Sequence, residues 1–597
     1  MNKPEQLHNL RHSLAHILAS AVLEMFPKAQ LGVGPVIENG FYYDFLLPRA
    51  LTPQDLQKLE KRMRELVRQK LDFKREEMPF AAAKKYFEEK NQPFKVELIG
   101  GIEKHGTTVF KDITGSADAK QQEKPQTVSI YHTGKFSDLC RGGHVENTSE
   151  IAPDSFKLER VSGAYWRGDQ QNPQMQRVYG LAFESEEELA KYELLQQELA
   201  KRDHRVLGPK LGLFLFHDYM PGIPFYQPKG MIVRNELEKF VREASYGEGY
   251  SEVRLPQMFD AEIFRTSGHW EHFREDMFTF KIEERDFALK PMNCPGHMAL
   301  FKQGLYSYKN LPIRFAEMTT LYRNEVTGAL NGLFRARAFA QDDCHIFLTP
   351  DQIADEVAEL LKRTKKIYKV FGMEIEDVAL STKPEKALGT DAEWSKAETA
   401  LAQALKKAKW DYEINPGDGA FYGPKIDMRI KDVLGRKWQL ATIQLDFQQP
   451  KRFGLEYVDR DGTKKTPIVI HRALLGSFER FLGILIEQFA GAFPIWLAPI
   501  QASILPISNK QNKYAKQVAK DLQEFLPGLR LEIDDRDESI GKKIREAELQ
   551  KVPYMLVVGE KEMKSKKAAV RTRGQKDLGA MAIKKFADRV KKELEKR

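Results

Sequence analysis

Cysteine is scarce in this chain of 597 residues, which contains only Cys140, Cys294 and Cys344. Three cysteines cannot supply the disulfide framework of a secreted protein, so the sequence indicates a reducing cytoplasm. The chain also lacks any run of about 18 apolar residues, the length that a membrane-spanning helix requires. Its first residues contain no uninterrupted apolar core and do not resemble a secretory signal. We therefore expect a cytoplasmic protein that does not associate with a membrane.

The length predicts about three to five domains, and a hydrophobic content of 42% is sufficient for their cores. The net charge of +9 is unevenly distributed, because residues 561–597 contain 14 lysines and arginines against five acidic residues. The basic excess of this segment equals that of the whole chain. It indicates a nucleic-acid partner, although a solvated basic tail would have the same composition.

Residues 314–349 contain an arginine-rich hairpin. We expect one strand over residues 314–322, a glycine-containing loop, and a returning strand over residues 334–339. The alternation in the returning strand puts Arg335 and Arg337 on one face and Phe334 on the other. Guanidinium groups match phosphate oxygens in pairs, so such a hairpin is suited to a polyphosphate. A surface hairpin with solvated arginines is the alternative.

Two pairs of metal-binding residue types lie in the first 150 residues. His12 and His16 are four residues apart in a segment with helical apolar spacing, so they share a face opposite the apolar stripe and are not expected in the core. Cys140 and His144 are also four apart, after Asp138. Together the pairs could form a zinc site, or both could be exposed and inert.

The remaining regions give coarser predictions. Residues 100–130 are expected to form an extended polar loop, and residues 184–206 a charged linker helix. In the last hundred residues, apolar strands alternate with helices, which predicts a small parallel or mixed α/β domain. The strands are expected at 502–506, 530–533 and 554–558, and the helices at 512–525, 541–550 and 583–595.

The hairpin sequence YRNE…GLFRARAFAQDDCHIF resembles motif 2 of the class II aminoacyl-tRNA synthetases, most closely in the threonyl branch. Residues 233–256 resemble motif 1, and GSFERFLGILI (476–486) resembles motif 3. The resemblance implies an α/β and α+β multidomain protein and a homodimer. It implies an editing domain with a helical linker over residues 1–200, an antiparallel-sheet catalytic core over 201–500 and an α/β anticodon-binding domain over 501–597.

The same resemblance implies the roles of individual residues in the core. Catalysis is assigned to Arg323, Arg480 and Lys425. ATP, carrying Mg²⁺, is assigned to Arg323, Glu325, Arg335, Phe339, Gln439 and Arg480. L-Threonine is assigned to Met292, Gln341, Asp343, Tyr422 and Gln444. One Zn²⁺ per subunit is assigned to Cys294, His345 and His471, a set that local spacing does not link.

RHSLAHIL, DLCRGGHV and GAYWRGD resemble the editing domain that the threonyl and alanyl branches share. This implies hydrolysis of mischarged seryl-tRNA(Thr), usually without a metal, by a pocket formed from His12, His16, Asp138, Cys140 and His144. Gly143 departs from the family, which more often has proline there. The C-terminal region resembles an anticodon-binding domain, in which Glu562 and Arg571 would read bases of tRNA(Thr). The small ubiquitin-like domain that usually precedes the editing domain in bacteria is expected to be absent.

The function implied is a ligase that activates threonine with ATP, transfers it to tRNA(Thr) and edits mischarged seryl-tRNA(Thr). One alternative is another class II synthetase of the prolyl, histidyl or glycyl group, against which the Cys294, His345 and His471 set argues. A second is a regulatory paralogue that binds tRNA or RNA. Such paralogues usually lose motif arginines, which this chain retains. A free-standing zinc hydrolase would leave the nucleotide motifs unexplained.

Overall fold

The computed structural model describes residues 3–105, 126–169, 171–246, 249–574 and 576–596. The chain forms two compact units, residues 1–197 and 198–597, each described by itself below. The expected catalytic core and anticodon-binding region both belong to the second unit, and the boundary between them stays a prediction. Within the described residues, no helix is both long enough and apolar enough to cross a membrane.

The first unit packs helices against two antiparallel sheets, with strand orders β1-β3-β8-β7 and β4-β5-β6. β2 pairs with β3. The elements are α1 (Lys3–Met25), β1 (Gln30–Leu31), β2 (Val36–Ile37), β3 (Gly40–Leu46), α2 (Pro53–Arg68), β4 (Phe73–Pro79), α3 (Phe80–Glu89), α4 (Pro93–His105), β5 (Thr127–Thr133), β6 (Phe136–Leu139), β7 (Phe156–Tyr165), β8 (Gln174–Ala182) and α5 (Glu186–Arg202).

Helix α1 is buried on almost every side from Asn9 to Val22. Its apolar stripe packs into the core with Phe41 and Leu59, as the helical spacing predicted. The expectation that its histidines avoid the interior was wrong for His16, which is buried. The reason is that the polar face of α1 does not meet water but lies against β6 and the segment that follows it.

Two expectations for local structure in this unit need correction. Residues 100–105 end helix α4, and residues 127–130 belong to strand β5, so neither part is loop. The rest of the predicted polar loop, residues 106–125, lies outside the described residues. Of the predicted charged helix over residues 184–206, residues 186–202 form α5 and residues 204–206 belong to the next helix. α5 has acidic residues in its first turn and basic residues in its last, the arrangement that suits the helix dipole.

The second unit begins with a series of short elements that precede or flank its large sheet. They are α6 (His204–Lys210), β9 (Phe214–Leu215), β10 (Phe225–Tyr226), α7 (Pro228–Val241), β11 (Tyr250–Glu252), β12 (Met258–Asp260), α8 (Glu262–Ser267), α9 (His269–Phe273), β13 (Thr279–Ile282), β14 (Arg285–Leu289), α10 (Cys294–Phe301), β15 (Ile313–Glu317), β16 (Thr320–Tyr322) and β17 (Ala338–Ala340). Those that follow are β18 (Asp343–Leu348), α11 (Ile353–Val370), β19 (Glu374–Ser381), α12 (Asp391–Lys407), β20 (Glu413–Asn415), β21 (Lys425–Lys431), β22 (Lys437–Asp446), α13 (Gln449–Arg452), β23 (Tyr457–Val458), β24 (Lys464–Lys465), β25 (Ile468–Ala473) and α14 (Phe478–Gln488).

An eight-stranded sheet in the order β11-β15-β18-β25-β22-β21-β19-β20 is the framework of this unit. Its inner pairs are antiparallel, and only the two outermost pairs are parallel. Every residue of the central strands β18 and β25 is buried, as expected for strands covered on both faces. The register sets His345 opposite His471 and His471 opposite Gln444, so the predicted metal and threonine residues meet at the sheet centre.

The arginine-rich hairpin differs from the sequence prediction. The first arm is not one strand, because β15 belongs to the large sheet whereas β16 pairs with β17 in a separate ribbon. The break follows Glu317, whose buried carboxylate accepts the Thr319 hydroxyl. The returning arm is a strand only over Ala338–Ala340, because residues 332–334 form a 3-10 turn.

Residues 501–597 form a five-stranded mixed sheet in the order β27-β26-β28-β29-β30, in which the first three strands are parallel and the last two antiparallel. The predicted alternation of strands and helices is confirmed within one residue at each boundary. The elements are β26 (Ala502–Pro506), α15 (Asn512–Phe525), β27 (Leu531–Ile533), α16 (Ile540–Leu549), β28 (Tyr554–Val558), α17 (Glu560–Ser565), β29 (Lys567–Thr572), β30 (Asp577–Ala582) and α18 (Ile583–Leu594).

Candidate functional site

Cys294, His345 and His471 converge in the interior of the second unit. All three are buried, and one donor atom from each lies within 4.8 Å of the others. Cys294 opens helix α10, whereas the histidines occupy adjacent central strands. Burial raises the pKa of Cys294 well above its usual value and lowers that of His345 well below. The site therefore holds a neutral imidazole next to a thiol that needs a cation nearby to ionise.

The hydrogen bonds around the two histidines determine where their protons lie. His471 Nε2 faces Asp446 Oδ2 at 2.9 Å, and His345 Nδ1 faces His297 Nδ1 at 2.7 Å. On its far side His297 Nε2 lies 3.3 Å from Glu317 Oε2. Burial alone would raise the pKa of Glu317, but hydrogen bonds from His297, Lys290 and Thr319 lower it to about 2.

An ionised Glu317 carboxylate 3.3 Å from His297 Nε2 favours the ring proton on that nitrogen. Nδ1 of His297 then accepts from His345. His471 likewise directs its Nε2 proton at Asp446. The inner nitrogens, His345 Nε2 and His471 Nδ1, then present lone pairs to one another across 2.9 Å. Facing lone pairs in a buried site favour a cation between them. Two imidazoles and one thiolate are donors that suit Zn²⁺ and leave a fourth position open.

Tyr422 and Gln444 adjoin this cluster. The ring of Tyr422 stacks on His471 with centroids 4.9 Å apart, and its hydroxyl hydrogen-bonds Gln444 Oε1. The carboxylate of Asp343 accepts from Asn293 Nδ2 at 3.0 Å, next to Cys294 in sequence. Burial raises the pKa of Asp343. These three predicted threonine-binding residues therefore lie at or beside the Cys/His cluster.

The other two predicted threonine-binding residues are less directly linked to it. Gln341 forms an isolated backbone bridge with Ser477. Met292 packs beside a small apolar cluster that contains Phe264 and Met277. Asn293, His297 and Asp446 touch the site and were missed by sequence reasoning. Asn293 and His297 lie on either side of Cys294 in the sequence, so their closeness to that predicted ligand was the available signal.

Arg323 is held at the end of the hairpin strand β16. Its Cζ lies 5.4 Å from the Phe273 ring centre and 5.1 Å from that of Phe339, and its Nε donates to Pro291 O at 3.4 Å. The described residues give it no carboxylate ion pair. Burial lowers the pKa of Arg323, partly offset by the negative charges of Glu325 and Asp276. A charge held between aromatic rings without a paired carboxylate suits an anionic ligand.

Two further arginines lie near Arg323. Arg335 forms an ion pair with Glu325 at 2.7 Å and is half exposed. Arg480 stands in the first turn of α14 and donates from Nε to Phe334 O at 3.1 Å. Burial lowers the pKa of Arg480, and the positive charge of Arg335 lowers it further. The family resemblance assigned Arg480 to ATP, and the structure shows that a backbone carbonyl also accepts from it.

Lys425 and Gln439 both contact the carboxylate of Asp427. The ammonium of Lys425 lies 3.0 Å from Asp427 and 3.2 Å from Asp418, and Gln439 Nε2 donates to Asp427 at 2.7 Å. Lys425 is also opposite Gln444 in the strand register. Lys425 and Gln439 therefore form a polar group on β21 and β22, alongside the threonine candidates.

In the first unit, His12, His16, Cys140 and His144 form a second cluster, with donor atoms within 4.8 Å of one another. Cys140 Sγ lies 3.2 Å from His144 Nε2 and 3.4 Å from His12 Nε2. Burial raises the pKa of Cys140 to about 12 and lowers that of each histidine. The cluster therefore holds a neutral thiol and neutral imidazoles at neutral pH.

Ser13 fixes the orientation of one of these rings. Its hydroxyl donates to Asn9 O at 2.8 Å, so it can only accept from His144 Nδ1 at 3.2 Å. The proton of His144 is thus on Nδ1, and the Nε2 lone pair points to Cys140. Ser13 occupies the position where a metalloprotease motif would carry glutamate, and here it serves as a ring anchor.

Asp138 lies beneath this cluster in a buried polar group that the sequence did not reveal. It pairs with Lys95 at 2.5 Å and accepts from the Tyr43 hydroxyl at 2.5 Å, while His16 Nε2 is 3.9 Å away. Lys95 is fully buried, and a buried ammonium needs a paired charge. Lys95 lies on α4 and Tyr43 on β3, with no common motif, so spacing offered no signal.

The predicted anticodon residues, Glu562 and Arg571, are both half-buried. Glu562 accepts from the backbone of Gly559 at 3.0 Å and so caps helix α17. Arg571 lies on β29, with its guanidinium 3.9 Å from Asp577 on the neighbouring strand. Helix α17 packs on β29, which keeps the two residues in one region.

Three segments of the chain match known families. Residues 278–489 match the tRNA synthetase class II core domain (G, H, P, S and T). Residues 501–593 match an anticodon binding domain, and residues 128–179 match the threonyl and alanyl tRNA synthetase second additional domain. Together with the largely antiparallel sheet, these matches define a class II aminoacyl-tRNA synthetase with an editing domain.

Relatives that match nearly the whole chain identify the family within this class. The chain is 47% identical to the threonine–tRNA ligase of Clostridium tetani, over 98% of this chain and 88% of that one. It is 48% identical to that of Methylobacillus flagellatus, over 99% and 89%. The RNA binding domain of threonyl-tRNA synthetase from Cryptosporidium parvum superposes with a TM-score of 0.63 at 44% identity, over 65% of this chain and 98% of that one. The chain belongs to the threonine–tRNA ligase family.

Proposed function

We propose that the chain activates L-threonine with ATP and Mg²⁺, transfers the threonyl group to tRNA(Thr), and hydrolyses seryl-tRNA(Thr). The single observation that carries the activation step is Arg323, a half-buried guanidinium between two rings with no carboxylate ion pair among the described residues. Arg335 and Arg480 extend the same cationic surface. A triphosphate supplies the negative charge that three neighbouring arginines need.

In the activation step, a carboxylate oxygen of threonine attacks the α-phosphorus of ATP. The bond from that phosphorus to the bridging oxygen breaks, and pyrophosphate leaves. Arg323 stabilises the charge that develops on the α-phosphate oxygens, because its position is fixed before the reaction. Phe339 stacks beside it, and Glu325 holds Arg335 in place. Arg480 binds the outer phosphate, and Lys425 adds a further positive charge beside the threonine pocket. Gln439 is the remaining residue that we assign to ATP binding.

Threonine is bound beside the Cys/His cluster. Cys294, His345 and His471 would hold Zn²⁺, which would supply Lewis-acid binding of the amino group and the β-hydroxyl of threonine. Valine has nearly the same shape but no hydroxyl, and an apolar pocket would separate such a pair by only about 10². Asp343, Tyr422 and Gln444 orient the amino acid from the protein side, with Met292 and Gln341 at the pocket edge.

Discrimination against serine requires a second site, because serine has the same amino and β-hydroxyl groups as threonine and lacks only a methyl group. The loss of one such contact gives only about 10- to 200-fold discrimination. We assign hydrolysis of seryl-tRNA(Thr) to the pocket of His12, His16, Asp138, Cys140 and His144. It acts without metal in this proposal, by neutral imidazoles that orient water or the terminal ribose. Lys95 and Tyr43 hold Asp138 beneath them.

The partners follow from the same proposal. The basic C-terminal region binds tRNA(Thr), with Glu562 and Arg571 at the anticodon. The chain acts as a homodimer in the cytoplasm. Support for the dimer comes from β11, which is an edge strand of the large sheet. This strand adjoins an open cleft of about 780 Å³. The cleft is lined by Glu238, Arg242, Glu252, Val253, Arg254, Gln257, Met318, Thr319, Thr320 and Tyr322. Sedimentation velocity tests this assembly.

Threonine-dependent exchange of pyrophosphate into ATP tests the activation step. The purified chain should exchange with threonine, more weakly with serine, and far less with valine or proline. Charging of total tRNA with threonine tests the transfer step in the same preparation. A chain that binds tRNA but exchanges with no amino acid would be a regulatory tRNA-binding paralogue instead. Exchange with proline would favour another synthetase of the class.

A further inference from the structure

His204 connects two segments that are distant in sequence. It lies at the start of α6 and is only 1% exposed. Its Nδ1 is 2.7 Å from Glu487 Oε1 near the end of α14. On the other side of the ring, Nε2 accepts from the backbone N–H of Leu333 at 3.0 Å. That N–H belongs to the 3-10 turn Gly332–Phe334, which follows the hairpin loop.

These bonds exclude a metal at this position, although Asp203, His204 and Glu487 bring donor atoms within 4.8 Å of one another. Nε2 accepts from Leu333, so the ring proton is on Nδ1 and is donated to Glu487. Both ring nitrogens are therefore occupied. Burial alone would raise the pKa of Glu487, but hydrogen bonds from His204 and Arg436 lower it. The group is a hydrogen-bonded connection between segments.

The turn that His204 holds is closely fitted to the ring. The centroid of the Phe334 ring lies 4.1 Å from that of the His204 ring and 4.4 Å from that of Trp438. Gly332 has a φ of +53°, and a Cβ added there would lie 2.3 Å from His204 Nε2. The turn thus needs glycine both for its backbone conformation and for the approach of the histidine.

Arg480 depends on the same turn. Its Nε donates to the carbonyl of Phe334 at 3.1 Å, one residue after the N–H that His204 accepts. Arg480 and Glu487 are both on α14, so His204 is bonded to the helix that carries Arg480 and to the turn that orients its side chain. Arg202 adds bonds to the last carbonyls of the helix, at Glu487 and Gln488.

We infer that His204 is a positioning residue for ATP, which acts by holding the Phe334 carbonyl in place for Arg480. This inference rests on the proposed role of Arg480 in phosphate binding. Loss of the His204 ring frees the Leu333 N–H, lets the turn move, and leaves the Arg480 guanidinium without a fixed acceptor. ATP binding is weakened, whereas threonine binding, which uses the Cys/His cluster, is largely retained.

The test compares His204→Ala with His204→Gln and with Val206→Ala, a control on the exposed side of the same helix. In pyrophosphate exchange, His204→Ala should raise the KM for ATP about tenfold, on the scale of one lost hydrogen bond, and change the KM for threonine less than about twofold. Calorimetric titration with a non-hydrolysable ATP analogue should show the same loss. His204→Gln should restore much of the affinity, because an amide can donate to Glu487 and accept from Leu333. Equal rises in both KM values would overturn the inference.

A double mutant separates this inference from the role of Arg480. If His204 acts through Arg480, His204→Ala should add little to the effect of Arg480→Ala on the KM for ATP. If the two substitutions raise the KM for ATP independently, so that their effects multiply in the double mutant, the positioning role is wrong. If Arg480→Ala alone leaves the KM for ATP unchanged, the proposed function of Arg480 fails whatever His204 does. Should His204→Ala fail to fold, Gly332→Ala decides, since it displaces the same turn and should reproduce the loss selective for ATP. A Gly332→Ala protein with normal ATP affinity would refute the inference.

Discussion

His345 Nε2 lies 2.9 Å from His471 Nδ1 at the centre of the large sheet, while the outer nitrogens of the two rings are engaged by His297 and Asp446. The arrangement predicts about one Zn²⁺ per chain at the core cluster. Metal analysis should find it, and His471→Ala should lose it together with discrimination against valine. An enzyme that keeps full activity and selectivity after complete zinc removal would contradict the assignment.

The residues that orient the zinc ligands should affect metal affinity without contacting the metal. His297→Leu removes the acceptor for the His345 Nδ1 proton and leaves Glu317 with one partner fewer. We expect zinc affinity to fall about 10- to 100-fold, measured by competition with a chromophoric chelator. Asp446→Asn should act in the same direction through His471. Unchanged affinity in both variants would show that these hydrogen bonds do not orient the ligands.

Removal of Arg323 should separate activity from stability. Arg323→Ala should lower threonine-dependent exchange by about 10² to 10³. Its Tm should not fall, because the half-buried guanidinium has no carboxylate ion pair among the described residues and its loss removes a partly desolvated charge. Arg460→Ala, at an exposed arginine of the same unit, is the control and should leave both measurements unchanged. Full exchange activity in Arg323→Ala would disprove its role.

Editing should be separable from charging. The double variant His12→Ala, His16→Ala removes two imidazoles from the first-unit cluster and leaves the second unit intact. It should still charge threonine but accumulate seryl-tRNA(Thr), because serine is rejected only about 10- to 200-fold in the core. Deacylation of purified seryl-tRNA(Thr) measures the loss. If the variant clears this substrate as quickly as the wild type, hydrolysis occurs elsewhere.

The sequence predicted best what periodicity and short motifs encode. The strands and helices of the last hundred residues follow from alternating apolar patterns. The approach of His345 to His471 was implied only by the family resemblance, since local spacing does not link the two residues. The sequence predicted poorly where polar side chains override the pattern. Glu317 interrupts a run that reads as one strand, and His16 is buried because polar partners replace water around it. Lys95, Tyr43 and His204 contact their partners across long sequence separations, which no local spacing records.

Cys140 provides a test of whether the editing pocket is metal-free. Burial raises its pKa to about 12, so between pH 7 and 10 the folded chain holds a thiol. The rate of alkylation by iodoacetamide, followed by peptide mass spectrometry, should rise about tenfold per pH unit without a plateau, since only the thiolate reacts. In the urea-unfolded chain the alkylation rate of the same cysteine should level off above its ordinary pKa of about 8.5. The raised pKa also means that this group's contribution to stability is complete at neutral pH and is lost as pH rises toward 12, because the unfolded chain ionises first. A folded protein whose Cys140 reaches its plateau near neutral pH, or is protected until a chelator is added, would contain a thiolate held by a cation, and the four side chains would then be a metal site.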